Sequence, residues 1–163
     1  MLHNETVEKS TLELIISLQS KTYLNQFHLP GGSALALYLG HRKSVDIALF
    51  SNFSCGISVL SEQDIIAMKL NAISLSGTRS KDFIDIYYFL SKYSIGNMLD
   101  FYKEKYNQQN DTFILKSLIY FTDVDLADYP VLIKDPLLKW SNVKRRIEKA
   151  VLNYLHGKQV VGN

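Results

Sequence analysis

The chain has 163 residues, with 18 lysines and arginines against 16 aspartates and glutamates for a formal charge of +2, a balance too small to imply a nucleic-acid partner by itself. Hydrophobic residues at 47% and charged residues at 21% describe a globular domain and argue against a disordered chain or a membrane protein. The single cysteine, Cys55, excludes an intrachain disulfide, the N-terminal stretch lacks the pattern of a signal peptide, and no apolar run approaches the roughly 20 residues of a membrane span, so a cytoplasmic protein is expected.

Val7, Leu12, Ile15, Ile16 and Leu18 recur at broadly helical spacing and predict an amphipathic helix over about residues 5–24. Phe27-His28-Leu29 reads as a short strand, stopped by Pro30 and two glycines. Residues 33–39 read as a helix that ends at Gly40, and the basic turn His41-Arg42-Lys43 leads into a second strand over residues 44–50. Ile57-Ser58-Val59 is read as one more short strand. Ser61 with Asp64 three residues later forms a capping pattern that opens the helix EQDIIAMKLNAISL. Gly77-Thr78-Arg79 breaks that helix, Ser80 is expected to cap KDFIDIYYFLSKY, and further helices are predicted at about 96–106, 111–119 and 141–155. The turn-rich FTDVDLADYPVLIKDP is expected to wrap the surface. Few strands early and many helices late predict an α+β chain. Its residues 1–77 would form a small sheet with flanking helices, and residues 78–163 a helical region packed on it.

A strand entering Gly31-Gly32-Ser33 and then a helix is suited to holding phosphate. Glycine lets the backbone approach closely, the helix start offers N–H groups with partial positive charge, and Ser33 adds a hydroxyl. A tight strand-to-helix turn without a ligand is the plainer reading of these residues alone. Asp46 lies on the next strand, where residues i and i+2 share a face, and two carboxylates at that spacing can share Mg²⁺. Position i+2 holds Ala48, which leaves half of such a site.

Lys81 and Asp85 are four residues apart on one helix face with Asp82 beside them, and a solvated ion pair next to Phe83, Ile84, Tyr87 and Phe89 is the plainer reading. Arg42 suits either neutralising a triphosphate or pairing with Asp46. His41 reads as a surface or hydrogen-bonded residue, since no second histidine or cysteine stands at ligand spacing. Lys144-Arg145-Arg146 with Lys149 reads first as a solvated helix face and second as an RNA contact. The tyrosines read as packing residues rather than base-stacking platforms.

Taken together, GGSALALYLGHRKSVDIALFS, DIIAMKLNAIS and RSKDFIDIYYFL resemble the AbiEii/AbiGii-type nucleotidyltransferase toxins, relatives of the DNA polymerase β-like superfamily. That family's pattern runs Gly-Gly-Thr/Ser, Arg-x-Ser-x-Asp-x-Asp-Phe-Phe, a helix with Lys, and Lys-Asp-x-x-Asp. KSLIYFTDVD, Trp140 and KRRIEKAV are similar to its C-terminal part. The resemblance implies a reduced nucleotidyltransferase-like core in which Gly31, Gly32, Ser33, Arg42 and Ser44 hold an NTP and Asp46 binds Mg²⁺. It implies that Lys69 contacts phosphate or supports the site, and that Lys81, Asp82 and Asp85 form the motif on the next helix. It also implies transfer of a nucleoside monophosphate to an acceptor such as tRNA, and a toxin–antitoxin or abortive-infection setting with an antitoxin partner.

Two departures from that pattern stand out. Ala48 replaces the second acidic residue, and the chain runs from Phe50 to Gly56-Ile57 where the family has further strands, a helix and a third carboxylate. Mg²⁺ is held by carboxylates and substrate phosphates, so the loss of two carboxylates weakens its hold and is expected to impair transfer by roughly three or more decades. Asp64, Asp82 or Asp85 could compensate. A catalytically inactive nucleotide-binding or protein-interaction module is the alternative. A natural degenerate homologue ranks ahead of an alanine introduced to disarm a toxin and of a sheet completed by a partner chain. An open sheet edge would favour a homodimer or strand addition.

Overall fold

The computed structural model describes residues 2–24, 27–44, 50–51, 60–127 and 129–161. The expected strand at 57–59, Cys55, and both Asp46 and Ala48 lie outside the described residues. Contacts group the chain into two units, residues 1–65 with 130–136, and residues 66–129 with 137–163.

In the first unit, α1 (Lys9–Gln19) stands between two 3₁₀ turns, Asn4–Thr6 and Thr22–Leu24, which divide the longer helix expected over residues 5–24. β1 (Phe27–His28) is followed at once by α2 (Gly31–Leu39), and it pairs antiparallel with β2 (Phe50–Ser51), Phe27 opposite Ser51 and His28 opposite Phe50. α2 is buried along Ser33, Ala34, Leu35, Ala36 and Leu37, as a helix that is apolar nearly all round must be. Isolated bridges tie Ser44 to Val7 and Arg42 to Leu132.

The expected α+β core with a small sheet is overturned. The described residues are nearly all helical, with seven α-helices, and their strand pairing is the single contact between β1 and β2, two residues on each side. Pro30 and the start of α2 at Gly31 end β1 after two residues, far short of what a sheet needs for stability of its own. Helix packing buries the apolar surface instead.

Gly40 is the stop the sequence suggests. It is left-handed at φ +62, and its N–H donates to the Ala36 carbonyl at 2.9 Å. A Cβ there would meet the His3 ring at 2.8 Å, and His3 is anchored by its own N–H to the Leu37 carbonyl at 2.8 Å. Gly40→Ala is expected to destabilise the chain by at least about 1–2 kcal/mol from the backbone conformation alone. Urea unfolding checks this as a lowered midpoint with an unchanged slope.

α3 (Glu62–Leu75) opens as expected, with the Asp64 N–H donating to Ser61 Oγ at 3.1 Å and the Ser61 hydroxyl donating to Asp64 Oδ2 at 2.6 Å. The second unit continues with α4 (Ser80–Phe89), α5 (Ile95–Tyr106), α6 (Thr112–Leu118) and α7 (Trp140–Val161). α4, α5 and α6 each pack on α7, whose Val143, Ile147 and Val151 form one buried stripe at four-residue spacing. Facing them in the core are Phe83, Ile84, Phe89, Met98, Leu99, Ile114 and Leu118. Phe83, Phe121 and Trp140 form a three-ring cluster with centroids 5.4 to 5.8 Å apart and edge-on or tilted planes, the arrangement aromatic quadrupoles favour.

Two caps depart from expectation. Ser94 and Asn97 build a full capping box at the start of α5. Ser80 caps nothing, because the N-cap of α4 is Arg79 and it supplies no side-chain cap. Within the turn-rich connection Leu132 is buried while most neighbours are exposed. Among the described residues no helix is long and apolar enough to cross a membrane.

Candidate functional site

α3 carries Lys69 on the same face as Ile66 and Ile73, three residues before and four after it, so its side chain enters the core rather than the solvent. On α4, Asp82 and Asp85 are three residues apart and also share a face. These three side chains meet. Lys69 Nζ donates to Asp82 Oδ1 at 2.6 Å and lies 2.8 Å from Asp85 Oδ2. Lys69 is 7% exposed, Asp82 4% and Asp85 0%, so the cluster holds two carboxylates against one ammonium almost entirely out of water. Desolvating such charges is costly and is offset only by close, well-aligned pairing, which fixes the ammonium in position. The solvated ion pair that the sequence allows between Lys81 and Asp85 does not describe Asp85, which is fully buried against Lys69. Lys81 lies elsewhere, half-buried on a cavity with Thr78, Arg79, Ser80, Asp123 and Asp125.

A second cluster belongs to the first unit. Pro30 at the N-cap of α2 gives no side-chain cap. Ser33 Oγ and Ser44 Oγ are 2.9 Å apart and buried. The Arg42 guanidinium, only 3% exposed, lies so close that a Cβ on Gly32 would come within 2.6 Å of one of its nitrogens and 3.4 Å of Ser44 Oγ. Its Nη1 donates to the Lys43 carbonyl at 3.1 Å. Gly32 thus leaves the space that the guanidinium occupies, and Gly31 adopts φ +74 with open space where a Cβ would stand. Gly32, Ser33, Arg42 and Ser44 are brought together as a set of donors at a helix start, where negative charge is favoured. His41 is fully buried and not a surface residue.

Asp46, the residue expected to bind Mg²⁺, is outside the described residues. Among the described residues no group of three or more histidines, cysteines or acidic side chains could hold a metal ion. Asp82 and Asp85 converge on an ammonium that a cation would have to displace. The described carboxylates therefore do not fit Mg²⁺.

Sequence reasoning grouped Asp82 and Asp85 with Lys81 and named Lys69 separately, and did not join Lys69 to the two aspartates. The available signal was a lysine within the apolar stripe of α3 together with two aspartates among Phe83, Ile84, Ile86 and Phe89, all of them buried. The basic run on α7 is partly engaged, since Arg146 stacks 4.7 Å over the Tyr87 ring and Arg145 donates to Asn142 Oδ1 at 3.3 Å.

The described residues thus form a largely helical chain with two buried polar clusters, an ammonium matched by two carboxylates and a guanidinium beside two hydroxyls at a helix start. A family model described as nucleotidyl transferase AbiEii toxin, type IV toxin–antitoxin system, matches residues 48–153, more than half of the chain, and the chain belongs to that family. Lys69, Lys81, Asp82 and Asp85 fall inside the match, while Gly31, Gly32, Ser33, Arg42, Ser44 and Asp46 precede it. The chain is also similar to the uncharacterized protein aq_aa25 of Aquifex aeolicus, 24% identical over 205 aligned positions that cover 91% of this chain and 96% of that protein. The alignment is longer than the chain, so the relative carries residues that this chain lacks. No solved structure matches the chain.

Proposed function

We propose that the chain is a nucleotidyltransferase toxin that transfers a nucleoside monophosphate from an NTP to an RNA acceptor, tRNA being the acceptor its resemblance suggests. The acceptor hydroxyl oxygen forms a bond to the α-phosphorus and gives its proton to water, while the bond from that phosphorus to the α–β bridging oxygen breaks and its electron pair leaves on the bridging oxygen of pyrophosphate. The observation that carries this reading is the buried Lys69 ammonium, fixed by Asp82 and Asp85, within the part of the chain that matches the family. Paired with both carboxylates, Lys69 supports the site by holding α3 and α4 together rather than by offering an uncompensated charge. In this reading Gly31, Gly32, Ser33, Arg42 and Ser44 hold the triphosphate, Lys81 supports the motif on α4, and Asp46 is the residue assigned to Mg²⁺. Transfer is slow, because Ala48 and the missing third carboxylate leave the acidic set incomplete. An antitoxin partner, a homodimer, a cytoplasmic setting and a functional division at residues 1–77 and 78–163 belong to the same reading.

Labelled NTPs incubated with the full chain, Mg²⁺ and total RNA test it. Slow incorporation that disappears in Asp46→Ala supports the proposal, and incorporation that persists in that variant overturns the role of Asp46. The second reading is an inactive nucleotide-binding or protein-interaction module, favoured by the close approach of Arg42 to Gly32. It predicts NTP binding by calorimetry without turnover, weakened when Gly32→Val displaces the guanidinium. No NTP binding at all would remove the nucleotide pocket and leave the interaction role.

A further inference from the structure

Ser80 opens α4 and is 2% exposed, yet its hydroxyl has no hydrogen-bond partner in the protein. An unpaired buried hydroxyl is costly, and native structures rarely retain one without a reason. The same residue lines a cavity of about 360 Å³ together with Thr78, Arg79, Lys81, Asp123 and Asp125. α4 has ten residues and no side-chain cap, and with the Asp82 N–H bonded to the Arg79 carbonyl and the Ser80 N–H engaged in the bridge between Arg79 and Asp125, the Lys81 N–H carries the partial positive charge of the helix start. Asp82, the acidic residue of that turn, is committed to Lys69. Arg79 is exposed and makes no side-chain ion pair among the described residues.

The cavity lining also carries negative charge. Asp123 and Asp125 are both exposed, and Asp125 Oδ1 accepts the Ala127 N–H at 2.8 Å, which orients that carboxylate. The Asp125 N–H donates to the Thr78 carbonyl at 2.8 Å and, with the bridge between Arg79 and Asp125, holds the basic and acidic residues side by side. A bare polyanion would be repelled by these carboxylates, and a simple cation by Arg79 and Lys81. A ligand that satisfies both sets of groups brings an anion and hydroxyl donors a few bonds apart.

We propose that this cavity binds a ribose-phosphate unit, its phosphate on the Ser80 hydroxyl, the Lys81 N–H and the Arg79 and Lys81 side chains, and its ribose hydroxyls on Asp123 and Asp125. The assignment accounts for the uncapped helix start, the unpaired hydroxyl and the mixed charge of the walls together. It stands apart from nucleotidyl transfer, because a chain without transferase activity would bind the same unit.

Calorimetry on the full chain tests it, with ribose 5-phosphate and inorganic phosphate as probes. Ribose 5-phosphate is expected to bind about tenfold more tightly than phosphate, as added hydrogen bonds to carboxylates should give. Ser80→Ala and Arg79→Gln are each expected to weaken ribose 5-phosphate by about tenfold, the value of one hydrogen bond to a charged group. Ser80→Ala should not lower the thermal midpoint, because it removes an unpaired polar group. Asp123→Asn should reduce the preference for ribose 5-phosphate over phosphate. Adenosine 5′-monophosphate and a short RNA trinucleotide, titrated into the same variants, distinguish a free nucleotide from a strand as the source of the unit. Failure of the wild-type chain to bind ribose 5-phosphate overturns the proposal. So does equal affinity for the two probes, or unchanged affinity in either Ser80→Ala or Arg79→Gln. Arg79 is on the surface, so its variant keeps the test decisive even where Ser80→Ala fails to fold.

Discussion

Lys69→Met is expected to destabilise the chain by about 3–5 kcal/mol, the usual cost of removing one partner from a buried ionic cluster. For a chain of this size that lowers the thermal midpoint by roughly 10 °C. Asp82 and Asp85 are 4% and 0% exposed and reach Lys69 at 2.6 and 2.8 Å, so the variant leaves two carboxylates side by side with the lysine gone and little water to replace it. Methionine fills nearly the same volume, which separates the electrostatic loss from a cavity effect. Adding Asp82→Asn and Asp85→Asn to Lys69→Met should recover a large part of the stability, because the neutral amides no longer need a cation. Thermal and urea unfolding of the single and triple variants measure both effects. A single variant as stable as the wild type would show that the cluster is not held by charge pairing.

Ala48→Asp is expected to raise NTP incorporation into RNA by about three decades, the rate equivalent of several kcal/mol in the transition state. The substitution restores a second carboxylate two residues from Asp46, the Asp-x-Asp of the pattern that this chain resembles. The gain should vanish when Asp46→Ala is added, since residues that act as a unit are not additive. Initial rates with labelled NTP over the four combinations at positions 46 and 48 give the result. A rate unchanged in Ala48→Asp, with Asp46 still required, would place the deficit in the missing third carboxylate. A chain inactive in every combination would favour the binding-module reading.

These outcomes bear on how the site could be read from the residues. Asp82 and Asp85 each have an ordinary surface explanation, and so does Lys69, because a charged residue in isolation belongs in water. Their burial is tolerated only because α3 and α4 bring opposite charges within hydrogen-bond distance, and no local pattern encodes that meeting. Arg42 follows the same logic. A guanidinium 3% exposed is intelligible only once Gly32 is seen to leave room for it.

The α+β expectation failed for a related reason. Short apolar runs such as Phe27-His28-Leu29 have strand character, but a sheet requires several such runs to pair, and β1 pairs over two residues. The family relationship was nonetheless legible, since the Lys69 helix and Lys81-Asp82-x-x-Asp85 lie in the matched region.

The sequence by itself determined the helices of the C-terminal part, the stop at Gly40 and the Ser61 cap, because caps and periodicity act over a few neighbouring residues. Only the tertiary structure decided that Lys69 closes on those two carboxylates, that Arg42 packs over Gly32, and that Ser80 is buried with its hydroxyl unpaired instead of capping α4. Those outcomes depend on partners brought from distant positions, and the cost of burying a polar group is set by the partner it finds.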